Sequence, residues 1–477
     1  MAATTSIKPF SPEETRRILD HLQQPAIFLN MTCSWPVLSW TVEHLSGCLG
    51  DKLVRFRLGR KEETNAPVFE TQCSYEEAKV AQFLSWTQGQ FGTDVGPFSK
   101  YSHSEYWAYA DYKYIAMLFH DQPSMFEDVK WSEFGFEGRN GRESTLWIGT
   151  EGANTPCHLD SYGCNLVLQV QGRKRWHLFP PEDTAKLYPT RVPYEESSVF
   201  SQVDVLHPDL RRFPAFQSAR AHVVTLQPGQ VLYVPRHWWH YVESVDPLTV
   251  SINSWIELEM DDVARVSEAV AKTVVFAIKS AQSDDNTDNW LSPTEEEKAS
   301  HDENMQYVNL AVRACAQRQQ TQSPRDTCRV KRDSSGQIKK NRACVWNRAP
   351  FSVPFGPHLI SVCCQQEELS LTQKHLDVSS SRNCTTGSDA ESRSTSELTV
   401  KPHDGSHECR SGLTQSGPCD CGRGTSEHSS EDYKEFKHTT ITTNDLLGCL
   451  VHPDIITRVT ELLLERHMGN HRNTVPL

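Results

Sequence analysis

The sequence predicts an α+β protein: a strand-rich central barrel or sandwich, a mixed helical and strand region before it, helices after it, and a long polar stretch near the C-terminus. Three observations predict this. From Ser144 to Ile256 short runs rich in β-branched and aromatic residues recur between turn residues. On either side of that region apolar residues recur at helical spacing. The hydrophobic fraction is 37% over 477 residues, low for a globular chain, as expected when a well-packed part is diluted by a polar one.

The first element is a helix opened by Ser11-Pro-Glu-Glu14. Serine at the N-cap, proline at the first helical position and glutamate at the third satisfy and complement the orphan backbone donors, and Ile18, Leu19 and Leu22 supply an apolar face. Ala26-Ile-Phe-Leu29, beyond Pro25, suits a buried strand, and Thr41 to Gly50 a helix through Val42, Leu45 and Leu49. Leu53 to Leu58 alternates like a half-buried strand. Ser74-Tyr-Glu-Glu77 repeats the capping-box signal and predicts a second capped helix through Ala78, Ala81, Phe83 and Leu84. Glu105 to Tyr114 is dense in tyrosine. It reads either as a strand whose hydroxyls line a polar pocket or as a tyrosine-rich sheet surface.

The central strands are expected at Thr145–Thr150, Asn165–Gln171, Lys174–Phe179, Ala221–Leu226, Gln230–Pro235 and Thr249–Trp255. Gln171-Gly-Arg173 marks a hairpin and Gln227-Pro-Gly-Gln230 a turn. The proline-bearing segment from Pro181 to Arg220 reads as a surface excursion over the barrel mouth. After Trp255, Val263, Val266, Ala269, Val270, Val274 and Val275 form a helical stripe. From about Ser283 to Thr443 polar residues dominate without period, as in a mostly disordered segment. Asp454 then caps a last helix with a face of Ile455, Ile456, Val459, Leu462 and Leu463. That helix is expected to dock on the helix after Trp255 or on a second copy of the chain, as a homodimer.

The charge balance, 48 basic against 61 acidic residues for a formal net charge of −13, offers no global field for nucleic acid or acidic membranes. No apolar run approaches the roughly 20 residues a membrane span needs. The 15 cysteines are odd in number and irregularly spaced, and the N-terminus lacks a secretory signal, so reduced thiols in the cytoplasm, or also the nucleus, are expected. Arg329-Val-Lys-Arg332 and Lys339-Lys-Asn-Arg342 read either as a split import signal or as solvated charge.

The chemistry concentrates in Thr155-Pro-Cys-His-Leu-Asp160 and His237-Trp-Trp-His240. Residues two apart on a strand share a side, so His158 and Asp160 can reach one metal ion, and His240 closes a facial set from another strand. Two imidazoles and a carboxylate leave coordination positions open on iron(II), where a structural site would leave none. Lys174 supplies a point charge for a distal carboxylate, with Thr155, Asn165 and Asn253 as hydrogen-bond partners. Trp238, Trp239 and Trp255 are expected to wall the site and exclude water. Taken alone, His-x-Asp is more often a turn or surface pair, and His237 and His240 ordinary strand-end residues. The conjunction with Pro228-Gly-Gln-Val-Leu-Tyr-Val-Pro235 and Ile252-Asn-Ser-Trp255 is what singles them out.

These motifs, with Gln171-Gly-Arg-Lys-Arg-Trp176 and Leu178-Phe-Pro-Pro181, resemble the JmjC domain over residues 145 to 256. The resemblance implies a double-stranded β-helix (jelly-roll or cupin) core. It implies iron ligands His158, Asp160 and His240, and 2-oxoglutarate contacts from Lys174, Thr155 and Asn253, with Asn165 and Trp255 beside them and a tyrosine at Tyr109, Tyr106 and Tyr112 being rivals. The cofactors implied are Fe(II), 2-oxoglutarate and dioxygen, and the activity is hydroxylation of a protein side chain. Extended over the whole chain, the resemblance implies a small heat-shock protein as partner and a place in the stress response. Chromatin demethylation is the weaker option, since Cys419-Asp-Cys421 is too short for a zinc array. Hydroxylation of a tRNA base is a third reading, against which the net charge counts. The organisation expected is 1–110 as an N-terminal mixed part of the catalytic unit, 111–282 as the JmjC domain with its following helix, 283–443 as the polar insert, and 444–477 as a docking or dimerisation helix.

Overall fold

The structure, a computed structural model, describes residues 8–61, 66–90, 93–190, 198–280, 299–322, 351–363 and 441–468. Its first helix, α1 (Pro12–Leu19), starts where the local signal puts it: Ser11 Oγ accepts from the Glu14 amide and Glu14 returns the bond to the Ser11 amide at 2.8 Å. Strand β1 (Ala26–Phe28) and helix α2 (Val42–Leu49), capped by Thr41, follow as expected.

The second capping-box signal does not make a helix. Ser74–Ala78 is a strand, β3, antiparallel to β2 (Val54–Arg60) with Tyr75 opposite Arg57. Pairing with a neighbour overrides the local preference of those five residues. The helix, α3 (Val80–Thr87), begins later, where the Lys79 amide donates to Gln82 Oε1.

Next come β4 (Tyr106–Tyr114), the short α4 (Ile115–Leu118), β5 (Thr145–Thr150), β6 (Asn154–Asp160), β7 (Cys164–Gln171) and β8 (Lys174–Phe179). The β7–β8 hairpin turns at Gly172, whose φ of +63° and 2.2 Å clearance from the Leu248 carbonyl exclude a side chain. The Pro181–Arg220 excursion carries an unexpected strand, β9 (Ser198–Phe200), which pairs with β6 at His158 and Asp160. Strands β10 (His222–Leu226), β11 (Val231–Val234), β12 (Trp239–Ser244) and β13 (Leu248–Ile256) complete the barrel region.

Helix α5 (Asp261–Lys279) is followed by α6 (His301–Gln322), β14 (Leu359–Ser361), α7 (Thr443–Leu450) and α8 (Pro453–Met468). Thus α6 and β14 fall inside the stretch whose composition reads as mostly disordered. Val308, Val312 and Cys315, spaced four and three residues apart, make one buried stripe that an average over polar neighbours hides. Leu359 and Ser361 pair with Phe28 and Ala26. The basic pieces at 329–332 and 339–342 and the Cys419-Asp-Cys421 pair lie outside the described residues.

All strand pairs are antiparallel. One sheet runs β14-β1-β11-β7-β13-β5-β4-β2-β3 and the other β10-β8-β12-β6-β9. Inward residues of both sheets enclose one cavity, the arrangement of a double-stranded β-helix. The N-terminal region is continuous with it, since β1 to β4 extend the nine-stranded sheet and Trp35, Trp40, Phe56 and Phe83 cover that sheet in the largest apolar core. A separate core joins Val266, Val270 and Val275 of α5 to Val308, Leu447, Ile456 and Leu464. Helix α8 therefore docks on α5, but its N-cap is His452, whose carbonyl accepts from Ile455 and Ile456, while Asp454 lies in the first turn. Of its expected face, Ile456 is buried and Ile455, Val459 and Leu462 stay exposed. Every cysteine described is a free thiol, and no described helix is long and apolar enough to cross a membrane.

Candidate metal centre

His158 and Asp160 lie two apart on β6, and His240 faces His158 across the β6–β12 pair. His158 Nε2 is 3.8 Å from Asp160 Oδ1, His240 Nε2 is 4.0 Å from Asp160 Oδ2, and one ligand atom from each of the three lies within 4.8 Å of the others. The tautomers follow from the partners. His158 Nδ1 lies 2.8 Å from the Pro156 carbonyl and His240 Nδ1 3.0 Å from the Trp238 carbonyl. A carbonyl only accepts, so each Nδ1 carries the hydrogen and each Nε2 keeps its lone pair for a metal. Burial, and then His240, push the His158 imidazole well below its usual range, which keeps it neutral. Asp160 is raised by burial, against the His240 ring and the Trp255 indole, which donates to Asp160 Oδ2 at 3.0 Å. A carboxylate and two imidazoles whose Nδ1 atoms face carbonyls, with one indole orienting the carboxylate, suit a divalent cation.

A second group of side chains lines the same cavity, which holds about 410 Å³ of empty space. Lys174, 2% exposed, donates to Tyr109 Oη at 3.0 Å and Ser251 Oγ at 2.8 Å. Burial pushes its ammonium down to about 7, partly offset by Asp111. Its ammonium also lies over the Tyr109 and Trp147 rings, and a buried amine whose hydrogen bonds go only to hydroxyls is a place for an anion. Thr155 Oγ1 is buried there near the Tyr109 phenol. Asn253 accepts from Trp147 Nε1 at 2.8 Å and donates to Asn165 Oδ1 at 2.9 Å, so the two asparagines form one linked pair. A carboxylate-bearing ligand fits this donor set.

Two bulges assemble these residues. In the β6–β12 pair the register slips between His240 and Val242, so that Thr155, three residues before His158, lines the same cavity. In the β4–β5 pair it slips between Ala110 and Lys113, Tyr112 takes a φ of +52°, and Tyr109 and Tyr112 both face inward. The fully buried Arg57 pins the second bulge. Its Nε donates to Asp111 Oδ2 at 2.6 Å and its Nη2 to the Asn154 carbonyl at 2.8 Å, at the head of β6.

The structure thus brings together His158, Asp160, His240, Lys174, Thr155, Asn165, Asn253, Tyr109 and Trp255. Tyr106 does not line the cavity. Trp238 and Trp239 do not wall it either: Trp238 Nε1 donates to the Gln23 carbonyl and Trp239 Nε1 to Thr184 Oγ1, so both rings pack elsewhere. Their places are taken by Trp147 and Trp176, the latter stacked 5.7 Å from the His240 ring. His237 is turned away, its Nε2 donating to the Ser161 carbonyl at 3.2 Å. Ser251 and Trp176 were open to sequence reasoning, since each lies two residues from an expected site residue on the same strand. Tyr112, named only as a rival to Tyr109, lines the cavity beside it because of the bulge, and Arg57 was not open to sequence reasoning at all.

The jelly-roll core and its buried His/Asp/His centre define the class, and the chain belongs to the cupin-like domain family, which matches residues 12–262. Over nearly its whole length it is similar to the HSPB1-associated protein 1 homolog of Danio rerio, with 56% identity over 471 residues, 98% of this chain and 100% of that protein. It is 48% identical over 486 residues to HSPB1-associated protein 1 of Homo sapiens, 96% of this chain and 94% of the relative. A lysine-specific demethylase 8 of Xenopus tropicalis is 30% identical over 240 residues, 49% of this chain and 48% of that protein. The expected kinship with JmjC-type cupins is borne out by these relatives.

Proposed function

We propose that the chain is an Fe(II)- and 2-oxoglutarate-dependent oxygenase that hydroxylates a protein side chain. One observation carries the reading: Lys174, a buried amine whose hydrogen bonds go to hydroxyls and to no carboxylate, lines the same cavity as His158, Asp160 and His240. When bound, iron and cosubstrate supply the redox chemistry, in which dioxygen and 2-oxoglutarate become succinate and carbon dioxide while a C–H bond of the prime substrate becomes C–OH. The chain's own residues do the rest. His158, Asp160 and His240 hold the metal through Nε2, a carboxylate oxygen and Nε2. Lys174 and Tyr109 bind the distal carboxylate. Burial raises the Tyr109 phenol, which therefore stays protonated and donates as well as accepting from Lys174. Trp147, Trp176, Val167 and Val242 line the rest of the cavity with hydrocarbon and keep water out. The test is 2-oxoglutarate binding and substrate-independent succinate formation by the purified iron-loaded chain. A wild-type protein that neither binds 2-oxoglutarate nor forms succinate sinks the reading.

A second reading rests on the relatives. Two proteins similar to nearly all of this chain are named for association with HSPB1, which supports binding of a small heat-shock protein whether or not the site turns over. Capture of purified HSPB1 by wild-type chain and by His158→Ala separates the readings: binding unaffected by the substitution makes association independent of the metal centre, and no binding by either removes the adaptor reading.

A further inference from the structure

The metal ligands Asp160 and His240 sit at or near the ends of their strands. Asp160 is the last residue of β6, and the chain leaves it through Ser161, Tyr162 and Gly163; His240 is the second residue of β12, reached through Arg236, His237 and Trp238. Sheet pairing holds Asp160 against Ser198 and His240 against His158 and Leu178, but it holds neither connecting segment, so the paths of those segments depend on other contacts.

Two carboxylates of α5 meet these segments: Glu268 interacts with Ser161, Tyr162 and Arg236, and Asp261 bonds a backbone amide of the first segment. Asp261, 2% exposed and the first residue of α5, accepts from the Gly163 amide at 3.0 Å through Oδ1 and from the Leu258 amide at 2.8 Å through Oδ2. Its Oδ1 also lies 3.6 Å from Arg236 Nε. The same carboxylate therefore grips the chain three residues after Asp160 and four residues before His240. A direct tie joins the two segments, because His237, at φ +62°, donates from Nε2 to the Ser161 carbonyl. Gly163 has φ +65°, and a Cβ there would meet the Ile256 carbonyl at 2.5 Å, so the turn is built to bring its amide to Asp261.

We propose that Asp261 is a positioning residue of the metal centre, holding the segments that carry Asp160 and His240 in fixed relation through Gly163 and Arg236. The inference rests on the metal-binding reading above. It also links the centre to the helical layer, because α5 carries Asp261 at its start and the core shared with α6, α7 and α8 along its length.

The test uses the full chain and Co(II), a spectroscopic stand-in for iron(II), titrated into wild type, Asp261→Asn, Asp261→Ala and Arg236→Gln. Outer partners of metal ligands typically alter affinity about 10- to 100-fold. The expected result is a Co(II) dissociation constant raised about 10-fold in Asp261→Asn and more in Asp261→Ala, with an altered ligand-field spectrum. Arg236→Gln, which keeps both amide bonds to Asp261, should shift the constant less, and it carries the test with Asp261→Asn if the alanine variant does not fold. Variants that melt earlier yet bind cobalt with wild-type affinity and spectrum overturn the proposal, because Asp261 would then only stabilise the fold. A wild-type chain that takes up no cobalt overturns the metal-centre reading itself, and the proposal with it.

Discussion

The two ends of the cavity are built on opposite principles. At the metal end each histidine satisfies its second nitrogen with the carbonyl two residues earlier in the chain, and Asp160 is served by Trp255. At the other end Lys174 is buried, hydrogen-bonded to two hydroxyls and pushed down to about 7, and Thr155 Oγ1 is buried near the Tyr109 phenol. On the proposed reading an anion would satisfy that end. The difference teaches that the three proposed ligands are pre-oriented by nearby backbone carbonyls, while the proposed anion end buries an amine at a cost in stability.

The largest effect should come from breaking the metal end outright. His158→Ala removes one of three ligands, and metal uptake measured by calorimetry should fall more than about 100-fold while the fold persists by circular dichroism. Lys174→Met comes next and should separate the ends: the metal still binds, 2-oxoglutarate affinity falls about 10- to 100-fold as a charge-assisted hydrogen bond worth about 1.5–3 kcal/mol is lost, and the ligand-free protein melts at a higher temperature because an uncompensated buried cation is gone. Unchanged 2-oxoglutarate affinity would mean that the anion sits elsewhere. Trp255→Phe removes the indole donor to Asp160 and should weaken metal binding about 10-fold, leaving the response to Lys174→Met intact.

The pH dependence sharpens the comparison further. Only protonated Lys174 attracts a carboxylate, and its ammonium titrates at about 7. Cosubstrate affinity should therefore be full below that pH and weaken as pH rises through it, by at most about 10-fold per unit, with proton uptake on binding detectable by calorimetry in buffers of different ionisation heat. Affinity flat from pH 6 to 9 would remove Lys174 from the anion site. Tyr109→Phe should have the smallest effect, a few-fold loss in 2-oxoglutarate affinity for one neutral hydrogen bond worth about 1 kcal/mol.

What the sequence determined by itself is what near neighbours encode. The capping box at Ser11, the turn at Gly172 and the shared side of His158 and Asp160 each follow from interactions a few residues long. So did the strand assignments that put Lys174 and Asn253 on inward faces. Tertiary structure decided the rest. Thr155 joins His158, and Tyr112 joins Tyr109, only because a bulge breaks the two-residue alternation, and one of those bulges is pinned by Arg57, 54 residues from Asp111. Ser74–Ala78 became a strand because β2 was available to pair with it. Trp238, just before β12, lies outside the cavity with its indole donating to the carbonyl of Gln23, 215 residues away, whereas Trp239 faces out simply because it alternates with His240 on β12. The polar segment yielded α6 only because α5 offers a surface for Val308 and Val312. The physical reason is common to all of these: alternation and capping are properties of one segment, whereas a bulge, a strand partner or a docked face exists only when a distant segment supplies the other half.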